Sequence, residues 1–266
     1  MTTIAETFAK CRDDNRAALM PFITCGYPSM REFPSIMKCL STSGADIIEV
    51  GFPHSDPLAD GPVIQRASHL ALERGFTVAK GFAAIASLRR SVSQSIVVMC
   101  YANIILRTEI NSFINRCASN NVSGLIVPDM IPEESSELRI ACRKHGIDFI
   151  PLVTLTSPPE RALSIASDTS GFVYFVSVTG TTGARATMHS DLKQLVTNLR
   201  RHSKAPVAVG FGVSTPEMAG KIGAFSDGVI IGSAILQLID SAGSKRNYSS
   251  VSKFLTEARM NLESQR

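Results

Sequence analysis

Eight apolar runs recur through this chain, each bounded by glycine, proline or polar residues and each followed by a helical pattern. Their centres fall near residues 22, 49, 99, 126, 152, 174, 208 and 230. The runs are continuous rather than alternating, as in strands buried on both faces of a parallel sheet. Most gaps hold one helix. The longest gap holds two, over 62–74 and 77–92, broken at Gly75. Further helices are expected over 2–14, 29–42, 109–120, 132–145, 190–202 and 248–263, with start signals at Ser157-Pro-Pro-Glu160 and Thr215-Pro216. A polar loop is expected over 178–189 and a short helix over 234–238. Strict alternation in that number predicts an α/β fold, a parallel (β/α)₈ TIM barrel with an N-terminal helix and an extra helix after strand 2. Residues 1–266 then form one domain. An open doubly wound sheet is the competing arrangement.

Composition excludes several classes. At 44% hydrophobic and 19% charged residues the chain can bury a large core, so disorder is confined to its ends. The net charge of +4 is scattered. Arg89-Arg90 and Lys245-Arg246 read as solvated helix ends, so no nucleic-acid partner is expected. Cysteines 11, 25, 39, 100, 117 and 142 contain no C-x-x-C pair, which points to packed, reduced thiols rather than a metal site or disulfides. The first ten residues have no basic stretch followed by an apolar core, so no secretory signal is expected, and no run reaches about eighteen apolar residues. A cytoplasmic protein is expected.

Chemistry concentrates in Ala45–Pro62. A strand built on Ile47, Ile48 and Val50 carries a carboxylate, Glu49, and the loop after Pro53 adds Asp56 and Asp60 among turn residues. Barrel geometry makes the loops after each strand the expected site. Glu49 should point inward with Ile47 and Gly51, where burial raises its pKa and suits it to proton transfer. A structural buried acid is the other reading. Asp60 fits either a site or a turn cap, and His54 between the two acids reads as a surface loop residue. A second constellation lies in the last three units: Gly180-Thr-Thr-Gly183, Gly210-Phe-Gly212 and Gly232-Ser233. Glycines at strand ends and a helix N-terminus at Ser233 suit a phosphate. Phe22, Met99, Tyr101 and Tyr174 either line a pocket or fill the barrel.

The chain resembles the tryptophan synthase α subunit family. The resemblance rests on Pro21-Phe-Ile-Thr24, Gly26-Tyr-Pro28, Glu49-Val-Gly51 and Ser55-Asp-Pro-Leu-Ala-Asp-Gly-Pro62. It continues through Tyr101-Ala-Asn103, Pro128-Asp129, Pro132-Glu-Glu134, Val178-Thr-Gly180, Thr182-Gly-Ala-Arg185, Gly210-Phe-Gly212 and Gly232-Ser-Ala234. It implies retro-aldol cleavage of indole-3-glycerol phosphate to indole and glyceraldehyde 3-phosphate. No cofactor or metal is implied in this subunit, pyridoxal phosphate belonging to a β partner in an α₂β₂ complex. By this resemblance Glu49 is the general acid/base, Asp60 holds the indole N–H, and Tyr174 positions Glu49. Phe22, Met99, Tyr101, Ile126 and Phe211 enclose the indole. Gly183, Gly212, Gly232 and Ser233 hold the phosphate, and Thr182 closes against Asp60. Partner contacts fall to Pro53, Asp56, Asn103, Asp129 and Pro132.

Some positions depart from the family's pattern. His54 stands where Phe or Tyr is usual, Phe52 where a smaller aliphatic is usual, and Thr181, Cys25 and Cys100 are also unusual. Phe52 and His54 are expected to flank the path between the acids and to influence the Asp60 loop. They motivate an alternative: a catalytically weak α subunit that mainly activates the β subunit allosterically. A sugar-phosphate isomerase barrel would explain the glycines but not the loop string.

Overall fold

The computed structural model describes residues 2–88, 90–176, 185–210, 212–243 and 247–264, without the side chains of 185–191. Nine parallel strands form one sheet in the order β5-β4-β3-β2-β1-β9-β8-β7-β6. They are β1 (Ala18–Thr24), β2 (Ile47–Gly51), β3 (Ser95–Met99), β4 (Val122–Ile126), β5 (Asp148–Ile150), β6 (Leu152–Thr154), β7 (Val173–Val176), β8 (Val207–Gly210) and β9 (Gly228–Ile231). The two ends of that order, β5 and β6, are neighbours in the chain, separated only by Pro151. The single fifth strand expected from sequence is therefore interrupted at a residue with no N–H to give to a ladder. Its first half pairs with β4 and its second with β7, which closes the barrel.

Helix α1 (Ile4–Asp13) plugs the N-terminal mouth. It starts with a capping box: the Thr3 hydroxyl accepts the Glu6 N–H at 3.1 Å, and the Thr3 N–H donates to the Glu6 carboxylate at 2.8 Å. Ile4 and Phe8 reach the inward faces of Gly124 and Gly228, where a side chain would collide with them. Ala5 faces solvent and Thr7 is buried instead.

Helices α2 (Phe33–Thr42), α3 (Pro62–Glu73) and α4 (Val78–Ser87) follow as expected, the last two separated by Gly75 at φ +79°. The next segment differs from expectation. An extra helix, α5 (Ala102–Thr108), precedes α6 (Ile110–Ser119). Its first N–H, from Ala102, donates to the Asp129 carboxylate at 2.8 Å, a cap supplied from a distant loop that no local signal reveals. The helix expected over 132–145 begins as a 3₁₀ turn, Pro132–Glu134, and continues as α7 (Ser136–Lys144). Buried Ser135 makes the break by donating its hydroxyl to the Pro132 carbonyl at 2.8 Å. Then come α8 (Pro159–Ser167), α9 (Arg185–His202), α10 (Pro216–Gly223), α11 (Ser233–Ala242) and α12 (Ser249–Ser264). Helix α9 thus takes over the end of the expected polar loop, and α11 is longer than the short helix anticipated.

The six cysteines are free thiols and five of them are buried. Arg89 and Lys245-Arg246 lie outside the described residues. Among the described residues no helix is long and apolar enough to cross a membrane, and no acid, His or Cys cluster is suited to a metal ion.

Candidate active site

The C-terminal ends of the strands surround a cavity of about 500 Å³. One wall carries the acids. Glu49 sits in β2 with Phe22 of β1 and Val97 of β3 as its strand neighbours, and it is 1% exposed. Among the described residues neither of its carboxyl oxygens has a hydrogen-bond partner. A buried ionised carboxylate without donors is costly, so the proton is retained. Burial first, and then the charge of Asp60, push the Glu49 pKa up to about 8.

Asp60 comes from the loop after β2, and like Glu49 it faces the cavity. Its pKa rises to about 6 through burial, opposed by a hydrogen bond from Tyr101 and by the electrostatic influence of His54. The Tyr101 hydroxyl donates to Asp60 Oδ2 at 3.2 Å and accepts the Ala59 N–H at 3.0 Å. Tyr101 is therefore a support behind Asp60 and not part of the cavity lining. Tyr174, on β7, does line the cavity. Burial and the two acids raise the pKa of its hydroxyl well above the ordinary value. Its ring lies over Gly210, where any side chain would run into the hydroxyl.

Phe22, Met99 and Ile126 form an apolar middle to the cavity, with Ile64 and Leu152, which no motif marks in the sequence. The far wall is built from Gly212, Gly232 and Ser233. Gly212 has φ +79°, a conformation that costs an ordinary residue about 1–2 kcal/mol. Gly232 is the N-cap of α11 and Ser233 its first residue, so unpaired helix N–H groups open onto the cavity, a setting for an anion. Gln237, one turn along α11, also lines it. Thr182, Gly183 and Phe211, expected at the site, lie outside the described residues, as does Thr181.

The expected role of Phe52 is not what the structure shows. Its ring turns out of the barrel and packs edge-on against Phe76 and Phe82, 5.6 and 5.2 Å away, instead of flanking the acids. Phe52 lies three places after the inward Glu49, so the strand alternation itself sends it to the outer face, with Val50, toward the helices. His54, expected as a surface residue, is stacked on Tyr101. Of the residues expected to meet a partner, Asp56, Asn103 and Asp129 are exposed, Pro132 is half-buried and Pro53 is buried. All lie beyond the ends of β2, β3 and β4 that face the cavity, Asn103 in the first turn of α5 and Pro132 at the start of the 3₁₀ turn.

Residues 8–265 match the family model described as tryptophan synthase alpha chain. The chain belongs to the tryptophan synthase α chain family. It is 42% identical over 252 residues to the tryptophan synthase alpha chain of Gloeobacter violaceus, covering 94% of this chain and 91% of that one. It is 40% identical over 263 residues to that of Dehalococcoides mccartyi, covering 99% and 100%. Among solved structures, tryptophan synthase subunit alpha from Legionella pneumophila superimposes with a TM-score of 0.90 at 31% identity, covering 99% of each chain. Mycobacterium tuberculosis tryptophan synthase in space group F222 gives 0.89 at 35%, also covering 99% of each. As a member of this family the chain is a carbon–carbon lyase of tryptophan biosynthesis that cleaves indole-3-glycerol phosphate. Its cavity is lined by two carboxyl groups, apolar side chains and a helix N-terminus. The family's α subunit carries no cofactor, and pyridoxal phosphate belongs to the β partner.

Proposed function

We propose that Glu49, Asp60 and Tyr174 carry the retro-aldol reaction in this chain, with Glu49 as the only group that moves protons. The observation that supports this most directly is the unpartnered, buried Glu49 carboxyl at a cavity wall, protonated near neutral pH. Glu49 gives its proton to indole C3, and the positive charge that develops on the ring nitrogen is stabilised by the Asp60 carboxylate accepting the N–H. Glu49, now ionised, takes the proton of the glycerol hydroxyl as the bond between C3 and the side chain breaks. The bonding pair returns to the ring, the hydroxyl carbon becomes the aldehyde, and Glu49 ends the cycle protonated as it began. Tyr174 holds the Glu49 side of the cavity, and Phe22, Met99 and Ile126 enclose the indole. Gly212, Gly232 and Ser233 receive the phosphate. Thr182, Gly183 and Phe211 keep the closing, phosphate and indole-enclosing roles the family pattern gives them, and Tyr101 acts on the indole through Asp60.

The same reading takes residues 1–266 as one cytoplasmic barrel domain that docks a β subunit in an α₂β₂ complex, with no nucleic-acid partner. The docking face is the rim carrying Asp56, Asn103, Asp129 and Pro132, with Pro53 supporting it from beneath. Leu58, Leu106 and Ile131 on these same connections, Leu106 within α5, are 82%, 59% and 49% exposed, an apolar content that favours a protein partner there. The alternative of a weak, partner-activating subunit draws on Phe52 and His54. Phe52 packs away from the acids and His54 supports the Asp60 loop, so neither favours it. Steady-state indole release from indole-3-glycerol phosphate, measured with and without β subunit, tests the proposal. Turnover that rises in the complex is expected, and no turnover in the complex would refute it.

A further inference from the structure

The loop that delivers Asp60 has little to hold it. Residues 55, 56, 58 and 59 are exposed, and its internal bonds, Leu58 N–H to Asp56 O and Asp60 N–H to Pro57 O at 3.0 Å each, are local. Gln65 donates to the Asp60 and Pro57 carbonyls at 2.9 and 3.4 Å, which fixes backbone but not the carboxylate. The carboxylate is fixed by the Tyr101 hydroxyl alone among the described residues. A phenol on a rotatable side chain is a loose support unless its ring plane is held.

His54 holds that plane. The two rings stack with centroids 4.6 Å apart and planes 21° apart. His54 Nδ1 accepts the Asp56 N–H at 3.1 Å, which orients the imidazole and places the proton of the neutral ring on Nε2. One side chain thus grips the turn at residue 56 directly and at residues 59 and 60 through Tyr101.

We propose that His54 is a positioning residue that clamps the Tyr101 ring and, through it, sets the Asp60 carboxylate where the substrate's ring nitrogen arrives. This rests on the role given to Asp60 above. The groups facing the clamp are Asp56 and Asp60 on its own loop, Tyr101 at the end of β3, and Asp129 on the loop after β4. The tyrosine hydroxyl favours the ionised form of Asp60, so loosening Tyr101 raises the midpoint of that carboxyl.

Two readouts on the full chain with β subunit test this: kcat and KM for indole-3-glycerol phosphate, and a ¹³C NMR titration of the Asp60 carboxyl. His54→Ala is expected to lower kcat about three- to tenfold, the worth of one aromatic pair, with KM little changed. It also moves the Asp60 midpoint above about 6. His54→Phe restores the stack, so it recovers most of kcat and brings the Asp60 midpoint back toward the wild-type value. In a Tyr101→Phe background His54→Ala adds nothing further. Wild-type kcat with wild-type Asp60 titration in His54→Ala would overturn the proposal, and so would losses from His54→Ala and Tyr101→Phe that simply add. Should His54→Ala not fold, a His54→Phe variant with kcat as low as Tyr101→Phe gives, or with an Asp60 midpoint raised as far as in Tyr101→Phe, counts against it in the same way. If wild type cleaves no substrate, the catalytic reading fails, and the Asp60 titration still decides whether the clamp exists.

Discussion

Two carboxylates three residues apart on one segment meet opposite fates. Asp46, at the N-terminal end of the barrel, receives four hydrogen bonds: two from Arg16 at 2.8 and 3.0 Å, one from Arg259 at 2.8 Å and one from the Leu19 N–H at 2.8 Å. Those donors tie the approach to β1, the start of β2 and α12 together. Glu49, at the other end, receives none among the described residues. The first acid is surrounded by groups that favour its charge and leave it nothing to do but hold. The second is left without them and keeps a proton it can give away. In this barrel the bottom face stores stability and the top face holds uncompensated chemistry, and partners rather than residue type separate the two.

Substitution at each acid should break that symmetry in opposite directions. Glu49→Gln is expected to lower kcat by at least 10²-fold, the usual worth of a general acid/base, while the urea midpoint holds or rises. A variant with near-full turnover would remove Glu49 from the mechanism. Asp46→Ala is expected to destabilise the fold by about 3–5 kcal/mol, because it strips a buried ionic network of its centre and leaves the buried Arg16 with only the more exposed Asp14 as an ionic partner. The protein that remains folded should keep its kcat, as assayed well below the new unfolding temperature. Asp60→Asn is expected to cost about 10²-fold in kcat, since the amide no longer carries the charge that stabilises the cationic ring.

The pH dependence follows from the same contrast. Glu49 holds its proton in the folded state up to about 8, against an ordinary value of 4.5, so between those limits the folded protein binds more protons than the unfolded chain. Stability should therefore fall by several kcal/mol as pH rises from about 4.5 to 8, at about 1.4 kcal/mol per pH unit. Urea midpoints across that range, for wild type and Glu49→Gln, would show the slope in the first and its reduction in the second. Turnover should decline above about 8, where the donor is lost, and below about 6, where Asp60 gains a proton. At the far wall the expected effect is smaller. Gly212→Ala, strained at φ +79°, should weaken substrate binding about tenfold with little change in kcat, measured as KM.

The barrel is legible in the sequence because each strand is an apolar run and each run has its helix. The Glu49 placement is legible for a related reason: a charge inside such a run is costly to bury, so it stands out against its neighbours. What escapes the sequence depends on contacts between distant segments. Helix α5 owes its start to Asp129, and the fifth strand divides only because its halves have different neighbours across Pro151. Ile64, Leu152 and Gln237 reach the cavity from separate elements and share no motif. A tyrosine at a strand end, such as Tyr101, can serve as a wall of the pocket as far as local pattern goes. Its bond to Asp60 is visible only once the loop is folded back.

The central claim is that the Glu49 carboxyl stands unpaired and protonated at the cavity wall. A ¹³C NMR titration of that carboxyl, assigned by its loss in Glu49→Gln, measures it directly. A midpoint near 8 that falls when Asp60 is replaced by Asn is the predicted result. A midpoint at or below 4.5 would mean that the carboxylate has found donors, and would contradict the account.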